Sequence, residues 1–594
     1  MLCLLGIEKK GVVSLKEKWF IKNKAGNFNR IGNEYHIDPV IAQLIVNRGI
    51  NNKEEMEQYL NPSLKHMHNP LLMKDLEKAC DILKEKMKEG KKIRIIGDYD
   101  VDGVMATYIS VTGLKNCGAY VDYEIPDRIK DGYGINIDIV KKAVQEGIDT
   151  IFTCDNGIAA KDAIAYAKEN GLTVIVTDHH DIPVEGGIPG ADAVVNPKQE
   201  DCSYPYKGIC GAVVAYKLIE VLYDKFLVER KNAYDLLEYA AIATVCDVMD
   251  LQNENRVIVK FGISQFEHTK NLGLQALREE CGLLGKPINA YHFGFVIGPC
   301  INASGRLESA QISLMLLLSK DREEASCLAK KLKSLNDERK SMTEENLQAA
   351  IEMVENSSLI NDKVLVVYRE NCHESLAGII AGRLRERYNK PAIVITKTEH
   401  GAKGSGRSIE EYHMFQELSK CSDILLKFGG HPMAAGLSLM EEHVEELRRR
   451  LNETTTLTED NLIAKVSFDM VLPFEKVGVP LIHQMECLEP YGKGNEKPYF
   501  VLKDVEFVSA QILGCNQNVL KCTLRSNSAK GMYTGMIFQN IMGFREAVEK
   551  KYGNSSFEDL LARKKSICMD IVFSLNINEY NGLESAQLII QNYR

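Results

Sequence analysis

The sequence predicts an α/β protein with a parallel-sheet domain, a long connecting helix, a second, smaller α/β domain and a C-terminal β-barrel. Three observations support this fold class. Between residues 91 and 226, short apolar runs alternate with helical stretches, which is typical of a parallel sheet covered on both faces. The segment Asp321–Glu355 contains neither Pro nor Gly and predicts one long, largely exposed helix that could link two lobes. From about residue 465 onward, alternating or apolar runs separated by turn residues predict a small barrel.

The length of the chain predicts several domains. At 594 residues it is too long for one ordinary core, so three or four domains are expected. The pattern divides it into an N-terminal segment, the parallel-sheet domain, a helical connector, the second α/β domain and the barrel with its C-terminal extension. These lie at residues 1–75, 76–265, 266–356, 357–458 and 459–594.

The composition is that of a soluble globular protein, with 45% hydrophobic and 26% charged residues. No apolar run approaches the ~20 residues that a membrane helix needs. The apolar opening Met1–Gly6 is short and lacks a basic start and a cleavage site, so we expect no signal peptide and no membrane association. The sixteen cysteines include no C-x-x-C pair, which predicts reduced, mostly buried thiols in a cytosolic protein.

The net charge limits the kind of partner. At −9 the chain offers no overall attraction to nucleic acid, so any nucleic acid must meet a local basic groove. A cluster of aspartates that holds metal ions would account for part of the negative sum.

The first domain is predicted from alternating strands and helices. Its strands are expected at Ile93–Gly97, Val121–Ile125, Ile151–Cys154, Val174–Thr177 and Ala193–Val195. Its helices are expected at Val104–Leu114, Ile137–Gly147, Ala160–Asn170 and Val213–Phe226. In open α/β sheets, functional sites form beyond the carboxyl ends of the strands, and several of these strands end in acidic or polar residues.

The second α/β domain and the barrel follow the long helix. The strands Val364–Tyr368 and Ala392–Thr396 flank a predicted helix at Ser375–Tyr388, and Glu441–Asn452 predicts another amphipathic helix. The barrel strands are expected at Val466–Leu472, Tyr499–Leu513, Val519–Arg525, Gly531–Phe538, Ser566–Leu575 and Ser585–Gln591.

Three carboxylates within five residues follow the first strand. Asp98, Asp100 and Asp102 lie between Gly97 and Gly103, which permit a tight turn. Two carboxylates ~4 Å apart repel by roughly 4 kcal/mol at an effective dielectric near 20, so close carboxylates need protons or cations between them. Oxygen ligands favour hard ions such as Mg²⁺ or Mn²⁺. A solvated acidic loop or a calcium site remains an alternative, although residue 109 is Ile where a calcium-binding hand has Glu.

Two more strand ends carry polar side chains. Asp155 follows the strand Ile151–Cys154, although the sequence Asp-Asn-Gly is also a common turn. His179 and His180 follow Asp178 at the end of another buried strand. One of two adjacent histidines can bind a metal while the other faces a phosphate or supports the first.

A fourth candidate is Asp247, which follows the apolar stretch Ala240–Val245. A helix C-terminal turn is the alternative here. If all four elements meet along one edge of the sheet, they can hold two ions ~3.5–4 Å apart, which would activate a water and bind a phosphate.

These motifs resemble the DHH phosphoesterase superfamily and, within it, the RecJ family of single-strand-specific 5′ exonucleases. The segments similar to the catalytic motifs of that family are Gly97–Gly103, Thr153–Ile158, Val176–Asp181 and Ala243–Leu251. Segments outside the first sheet are also similar, namely Gly298–Leu307, His373–Leu384, Gly404–Ser408, Phe428–Gly436 and Pro490–Pro498. The resemblance covers roughly residues 76 to 540. It implies a DHH catalytic domain, a DHH-associated substrate-binding domain and an OB-like nucleic-acid-binding barrel.

The resemblance also implies roles for single residues. Two Mn²⁺ or Mg²⁺ ions would be held by Asp98, Asp100, Asp102, Asp155, His179 and Asp247. Asp155 would bridge them, and His180 would face the scissile phosphate. Arg306, Ser405 and Arg407 would bind phosphate, and Gly429, Gly430 and His431 would contact the bound strand.

Some of these residues have other interpretations from the sequence alone. Arg407 is predicted in a glycine-flanked loop with Lys403, and Gly429-Gly430 equally suits a tight turn. Arg383, Arg385 and Arg387 are predicted to form a solvated helix face rather than a DNA groove. Two residues depart from the family pattern: Cys300 stands where Arg is expected, and Cys372 where Trp is expected.

The implied activity is metal-dependent 5′→3′ hydrolysis of single-stranded DNA to 5′-mononucleotides in DNA repair and recombination. The implied partners are single-stranded DNA, a single-strand-binding protein and a helicase, with the enzyme itself a monomer. One alternative is a DHH phosphodiesterase that acts on short oligonucleotides or cyclic dinucleotides. Another is a non-catalytic DNA-binding scaffold, although such a scaffold would normally lack some of the acidic ligands.

Overall fold

The computed structural model describes residues 17–183, 186–399, 401–514, 516–525, 531–538 and 540–594. The apolar opening Met1–Gly6 lies outside the described residues. The chain forms two compact units. Unit 1 comprises residues 1–51, 343–487 and 497–594, and unit 2 comprises residues 52–342 and 488–496. The predicted N-terminal segment is therefore shared between the two units. None of the helices within the described ranges is long and apolar enough to cross a membrane.

The N-terminal residues of unit 1 form a strand and two helices. These are β1 (Glu17–Ile21), α1 (Phe28–Tyr35) and α2 (Pro39–Asn47). Helix α2 begins at Pro39, because the Asp38 side chain accepts a hydrogen bond from the Val40 amide at 2.9 Å and Pro39 occupies the first turn.

Unit 2 begins with helices α3 (Lys53–Leu60) and α4 (Leu76–Lys88) and continues with the predicted alternation of strands and helices. Its elements are β2 (Lys92–Ile96), α5 (Val101–Asn116), β3 (Tyr120–Glu124), α6 (Ile137–Gln145), β4 (Thr150–Cys154), α7 (Lys161–Glu169), β5 (Thr173–Thr177), β6 (Ala193–Val195) and α8 (Gly211–Phe226). All five strands are parallel, in the order β3-β2-β4-β5-β6. The parallel sheet predicted from the sequence is confirmed.

Alternate residues of these strands enter cores on opposite faces of the sheet. Ile95, Phe152 and Ile175 belong to a large apolar cluster that includes residues of α4, α5 and α8. Ile151 and Val174 belong to a second cluster with residues of α6 and α7. Burial on both faces explains why these strands are continuously apolar rather than alternating.

The rest of unit 2 is helical. The helices are α9 (Arg230–Tyr234), α10 (Leu237–Cys246), α11 (Asn253–Glu267), α12 (Leu272–Glu280), α13 (Ala290–His292), α14 (Gly298–Leu307) and α15 (Gln311–Leu318). The long helix α16 (Arg322–Glu355) confirms the predicted 321–355 helix to within one residue, and the boundary between the two units falls within it, after Met342.

A buried ion pair links α8 to α11. Lys217 and Glu254 have fully buried side chains, and Lys217 Nζ lies 3.2 Å from Glu254 Oε2. Lys217 Nζ also donates to the His68 carbonyl at 2.8 Å, and the Tyr204 hydroxyl donates to Glu254 Oε1 at 2.6 Å. Each charge therefore has polar partners in a site that excludes water.

The second α/β domain lies in unit 1. Its elements are β7 (Leu365–Tyr368), α17 (Ala377–Tyr388), β8 (Ala392–Thr398), β9 (Gly401–Arg407), α18 (Met414–Ser419), β10 (Leu425–His431), β11 (Ala434–Leu439) and α19 (Val444–Thr454). The strand order is β10-β11-β9-β8-β7; β7 and β8 are parallel and the other pairs antiparallel.

Two glycine-rich segments of this sheet differ from the prediction. The predicted loop around Arg407 is strand β9, and the possible tight turn at Gly429-Gly430 is part of strand β10. Glycine is required there for close approach: a Cβ on Gly430 would lie 2.5 Å from Ala435 Cα on the paired strand. In the structure, these glycines allow the paired strands to approach closely. From the sequence alone, the same glycines indicate a chain reversal.

The C-terminal domain is a six-stranded β-barrel. Its elements are β12 (Ala464–Phe468), β13 (Met470–Val471), α20 (Val479–Met485), β14 (Phe500–Leu513), β15 (Val519–Arg525), β16 (Met532–Phe538), α21 (Ile541–Tyr552), α22 (Ser556–Leu561), β17 (Ile567–Tyr580) and β18 (Leu583–Tyr593). The strand order is β13-β14-β15-β16-β18-β17, and pairing of β14 with β17 closes the ring. The predicted barrel is confirmed. Strand β12 lies outside this ring and pairs in parallel with β1, Glu17 opposite Ala464.

Candidate metal centre

The predicted site residues of unit 2 meet at the carboxyl edge of its parallel sheet. Asp98, Asp155 and His179 follow strands β2, β4 and β5 respectively. Asp247 differs from the expectation of a fourth strand end, because it is the C-terminal cap of helix α10. The site is therefore built from three strand ends and one helix end.

His179 lies at the centre of this cluster. Its Nε2 is 3.2 Å from Asp155 Oδ1, 3.5 Å from Asp102 Oδ2 and 3.6 Å from Asp247 Oδ2. Two overlapping groups have ligand atoms within 4.8 Å of one another: Asp155 with His179 and His180, and Asp102 with His179 and Asp247. Two neighbouring sets of oxygen and nitrogen donors thus share one imidazole.

Several of these donor atoms have no hydrogen-bond partner. The buried atoms without one include Asp98 Oδ2, Asp155 Oδ1, Asp247 Oδ2 and both ring nitrogens of His179. A buried polar atom left without a partner costs about 1–3 kcal/mol, so a cluster of such atoms at one point suits the binding of a cation. Oxygen and imidazole donors suit Mn²⁺, and the carboxylates suit Mg²⁺.

The pKa values of the cluster also indicate that it suits the binding of cations. Burial, followed by repulsion from neighbouring carboxylates, raises the pKa of Asp98 and Asp155 well above the usual range and that of Asp247 to about 8. Burial lowers the pKa of His179, which favours the neutral imidazole that binds metals. These carboxylates can carry their charges together only when cations compensate them.

The first acidic turn is shaped by the start of helix α5. Asp100 caps this helix and its Oδ1 accepts a hydrogen bond from the Gly103 amide at 3.0 Å. A Cβ on Gly103 would lie 2.6 Å from Asp98 Cβ, so the turn closes only around glycine. Asp98 and Asp100 belong to neither group of described residues with converging ligand atoms. Asp98 Oδ1 instead accepts a hydrogen bond from the Gly134 amide at 3.3 Å.

The N-terminus of helix α8 orients the Asp102 carboxylate and lies close to that of Asp155. The amides of Gly211 and Ala212 donate to Asp102 Oδ2 and Oδ1 at 2.6 and 2.7 Å. A Cβ on Gly211 would lie 2.5 Å from Asp155 Oδ1. Sequence analysis missed this glycine, because it begins an ordinary helix and is 56 residues from Asp155.

His180 is held beside the centre by two neighbours. Its Nδ1 lies 2.7 Å from Asp178 Oδ1 and 3.1 Å from the Tyr133 hydroxyl. Burial lowers the pKa of His180, but the hydrogen bond with Asp178 and the negative charges of Asp178, Asp247 and Asp102 together outweigh it and raise the pKa to about 9. Although burial raises the pKa of Asp178, His180 lowers it overall. Asp178 therefore orients His180 rather than facing the converging donors.

Tyr133 was also missed by sequence analysis. Its hydroxyl donates to the Asp155 carbonyl at 2.7 Å, so it holds the turn that carries Asp155 as well as His180. The available signal was its position between two glycines, Gly132 and Gly134, which both have positive φ.

We expect Tyr133→Phe to slow phosphodiester hydrolysis by about fivefold, because it removes a hydrogen bond worth about 1 kcal/mol that positions Asp155 and His180. Initial rates on a phosphodiester substrate at saturating Mn²⁺ measure this. Tyr120→Phe, which removes an exposed hydroxyl on β3, is the control. Equal rates for Tyr133→Phe and the native chain would show that the Tyr133 hydroxyl does not position Asp155 and His180 for hydrolysis.

A group of arginines adjoins the centre in unit 2. Burial, followed by the positive charges of Arg128 and Arg339, lowers the pKa of Arg306 to about 10. Asp100 and Tyr99 raise that pKa, but by less. The Arg128 guanidinium lies over the Tyr99 ring at 4.7 Å. Arginines brought this close favour an anion between them. Arg306 was predicted from the sequence, whereas Arg128 and Arg339 were not.

The predicted substrate residues of unit 1 lie in one sheet. The strand register aligns Ser405 with Gly436 and Gly429 in one row. The row two residues along aligns Arg407 with Ala434 and His431. Because residues two apart on a strand share a face, both rows lie on the same face, while a Cβ on Gly430 would point to the other face.

This face is open at its glycines and carries the Arg407 side chain beside them. Gly429 and Gly436 have no atom within 4 Å of where a Cβ would stand, so the backbone is open there. Arg407 Nη1 donates to Ser405 Oγ at 3.0 Å. A Cβ on Gly378, in the first turn of α17, would lie 2.8 Å from Arg407 Nη2, so this helix start approaches the same side chains.

The two departures from the family pattern are both buried. Cys300 Sγ lies 3.7 Å from Cys281 Sγ and accepts a hydrogen bond from Asn336 Nδ2 at 3.4 Å. Cys372 is also buried. Every cysteine in the described part of the chain is a free thiol, as predicted.

Comparison with known proteins agrees with this geometry. Three family models match: the DHH family N-terminal domain at residues 92–244, the DHHA1 domain at 361–456 and the RecJ OB domain at 468–592. The single-stranded-DNA-specific exonuclease RecJ of Bacillus subtilis is 36% identical over 586 residues, which cover 98% of this chain and 71% of the relative.

Two solved structures of RecJ from Thermus thermophilus are also similar. The complex with Mn²⁺ has a TM-score of 0.80 at 27% identity and covers 98% of this chain and 80% of that one. The complex with Mg²⁺ has a TM-score of 0.75 at 25% identity, and the match covers 98% of this chain and 78% of that one. By sequence, domain content and structure, the chain belongs to the RecJ family of single-stranded-DNA-specific exonucleases.

Proposed function

We propose that this protein is a metal-dependent exonuclease that hydrolyses single-stranded DNA from the 5′ end to 5′-mononucleotides, in DNA repair and recombination. The observation that carries the proposal is the cluster of buried, unpartnered carboxylate and imidazole atoms around His179, in a chain of the RecJ family. Such a cluster provides the donors for a dinuclear centre, and that centre requires no other prosthetic group.

The proposed ligands of two Mn²⁺ or Mg²⁺ ions are those predicted from the sequence, with Asp155 as the bridge. The ligands are Asp98, Asp100, Asp102, Asp155, His179 and Asp247. When bound, the ions supply a nucleophile of lowered pKa and offset charge on the phosphate oxygens. The amides of α8 fix Asp102, and Asp178 orients His180 toward the scissile phosphate.

The proposed substrate contacts belong to two surfaces. In unit 2, Arg306 with Arg128 and Arg339 would bind a backbone phosphate. In unit 1, Ser405 and Arg407 of β9, which lie beside the start of α17, would bind the 5′ phosphate, supported by the hydrogen bond between them. Gly429, Gly430 and His431 would contact the bound strand.

We further propose the domain boundaries given from the sequence, since each matched family model falls inside one of them. The proposal includes a monomer that works in the cytosol with a single-strand-binding protein and a helicase. Free thiols throughout the described residues support a reducing compartment.

The test is digestion of a long single strand labelled at its 5′ end, beside the same strand in a duplex. We expect Mn²⁺-dependent release of a labelled mononucleotide from the single strand and little release from the duplex. Activity confined to di- or trinucleotides would favour a small-substrate phosphodiesterase. Binding of the strand without any hydrolysis would favour a scaffold.

We expect Arg407→Ala to lower the preference for 5′-phosphorylated over 5′-hydroxyl ends by about tenfold, because charge-assisted hydrogen bonds to a phosphate contribute about 1.5–3 kcal/mol. The ratio of kcat/KM for the two ends measures this preference.

Arg383→Ala is the matched control for that change. Arg383 lies on α17, the helix next to Arg407, but pairs with Glu386 at 3.2 Å on an exposed face. Arg385 pairs with the same glutamate and Arg387 with Glu355, as expected for a solvated helix face. An unchanged ratio for Arg407→Ala would contradict its role at the 5′ end.

A further inference from the structure

Two cysteines of unit 2 bring their sulfur atoms together. Cys281 follows the last turn of α12, and Cys300 lies in the first turn of α14. Cys281 Sγ lies 3.7 Å from Cys300 Sγ. Because a disulfide bond is about 2.0 Å long, the two atoms are within about 1.7 Å of bonding distance. Neither thiol has a role in the hydrolysis proposed above.

The two thiols differ in exposure. Cys300 is only 1% exposed, whereas Cys281 is partly exposed. Cys281 caps α12 and is followed by residues 282–287, which are exposed apart from Leu283. Movement of the Cys281 sulfur toward Cys300 therefore displaces an exposed turn rather than a helix, and a small oxidant can reach the pair from the Cys281 side.

The surroundings of the pair favour a thiolate. The hydrogen bond that Cys281 donates lowers the pKa of Cys300 and raises that of Cys281. The positive charges of Lys333 and Lys340, on α16, lower the pKa of both thiols. Asp337 pairs with both lysines and offsets part of their charge. Since the thiolate is the form that attacks an oxidant, Cys300 is the more reactive sulfur of the pair.

Cys300 is connected to the arginine group around Arg306 through one buried amide. Asn336 Nδ2 donates to Cys300 Sγ at 3.4 Å. Arg339 Nε and Nη2 donate to Asn336 Oδ1 at 3.2 and 3.0 Å, and the charge of Arg339 acts on Arg306. Asn336 is only 1% exposed, so water does not replace these partners readily. The position of the Cys300 sulfur therefore helps to orient the amide that holds Arg339.

We propose that Cys281 and Cys300 form a reversible disulfide on exposure to a peroxide, and that this bond weakens the contact of the arginine group with a DNA phosphate. The second part rests on the proposed function, in which this group binds a backbone phosphate. The new bond draws Cys300 Sγ toward Cys281 and away from Asn336. The amide then loses its acceptor, and Arg339 loses the fixed oxygen that orients its guanidinium.

The reaction is balanced with hydrogen peroxide as the oxidant. The Cys300 thiolate attacks one peroxide oxygen, the O–O bond breaks and hydroxide leaves, which gives a sulfenic acid. The Cys281 sulfur then attacks the Cys300 sulfur. The S–S bond forms, and the sulfenic hydroxyl leaves as water with the proton of the Cys281 thiol. The two sulfurs together lose two electrons, which the peroxide gains. A dithiol reductant reverses the bond by exchange.

Peptide mapping of the full chain tests the modification site. The reduced protein is freed of reductant, treated with hydrogen peroxide and digested without reduction. We expect mass spectrometry to find a peptide pair joined through Cys281 and Cys300 that separates on addition of dithiothreitol. Cys281→Ser should abolish this pair. Cys327→Ser, which removes an exposed thiol on α16, is the matched control and should keep it.

Binding of a 5′-phosphorylated single strand, followed by fluorescence anisotropy in EDTA to prevent hydrolysis, tests the consequence. We expect oxidation to weaken binding by the native chain and by Cys327→Ser by about threefold to tenfold, because one phosphate contact is weakened. The slope of log Kd against log salt concentration should fall by up to about 0.7, the value for one phosphate of a single strand. Cys281→Ser should bind equally well before and after peroxide.

The connection through Asn336 has its own test. Reduced Asn336→Ala should show the weaker binding and the smaller salt slope without peroxide. It should still form the disulfide, and oxidation should then weaken binding no further. Unchanged binding by this variant would show that the amide does not position Arg339 for the strand.

The proposal is overturned if peroxide does not join Cys281 to Cys300, or if the joined protein binds the strand as the reduced protein does. Peptide mapping of the native chain decides the first point even if Cys281→Ser fails to fold. A reduced native chain that does not bind the single strand would instead count against the proposed function, and the peptide map would still decide whether the disulfide forms.

Discussion

Replacement of Asp155 by Asn is expected to lower the rate of single-strand hydrolysis by about a thousandfold or more, because it neutralises the proposed bridge between the two cations. The substitution suits the backbone. Asp155 has a φ of +63°, a left-handed conformation that Asn adopts more readily than most residues. Loss of activity would therefore report the chemistry of the carboxylate rather than strain.

The same variant should separate catalysis from stability. Without metal, Asp155→Asn should be at least as stable as the native chain, since it removes an unpartnered buried charge. Added Mn²⁺ should raise the melting temperature of the native chain much more than that of the variant. Asp162→Asn, an exposed carboxylate on α7, should behave as the native chain does. Full turnover of Asp155→Asn with added Mn²⁺ would refute the bridging role.

Lys217→Met is expected to destabilise unit 2 by about 3–5 kcal/mol, the usual cost of leaving one member of a buried ion pair without its partner. Glu254 would remain fully buried with only its hydrogen bonds for compensation. The change should also loosen α8, whose first amides hold Asp102. Urea unfolding of the metal-free chain, followed by hydrogen exchange of α8, measures both effects.

A second substitution shows whether Lys217→Met destabilises the protein by leaving a buried charge unpaired or by removing the packing of the lysine side chain. Lys217→Met combined with Glu254→Gln should be more stable than Lys217→Met alone, because the buried negative charge is gone while Tyr204 keeps an acceptor. If the double variant were no better than the single one, lost packing of the lysine side chain would be the cause. A loss below about 1 kcal/mol in the single variant would contradict the importance of the pair.

The fold and the centre of the site were largely predictable from sequence. Strands β2, β4 and β5 are short apolar runs followed at once by Asp or His, and the carboxyl ends of parallel strands share an edge. The stretch Ala240–Val245 was less certain, because a short apolar run can be a buried strand or a buried helix. It is a helix, so Asp247 reaches the cluster from a helix end.

Other parts of the site depend on tertiary contacts that leave little local signal. Tyr133 and Gly211 act on Asp155 from 22 and 56 residues away. Arg128 and Arg339 become a group with Arg306 only in the folded unit. The strands around Arg407 and Gly430 are rich in glycine, which locally indicates a loop. Only their register against β11 shows that their residues share one face of the sheet.

The pairing of β1 with β12 has a consequence for how the protein is made. Glu17 lies opposite Ala464, so 447 positions separate the partners. At roughly 5–20 residues per second, the ribosome needs roughly 20–90 s to deliver the second strand. Until then β1, with Phe20 and Ile21, has an open edge that could pair with other nascent chains. The part of the chain that is synthesised early is thus among the last to find its place, and slow translation would lengthen its exposure.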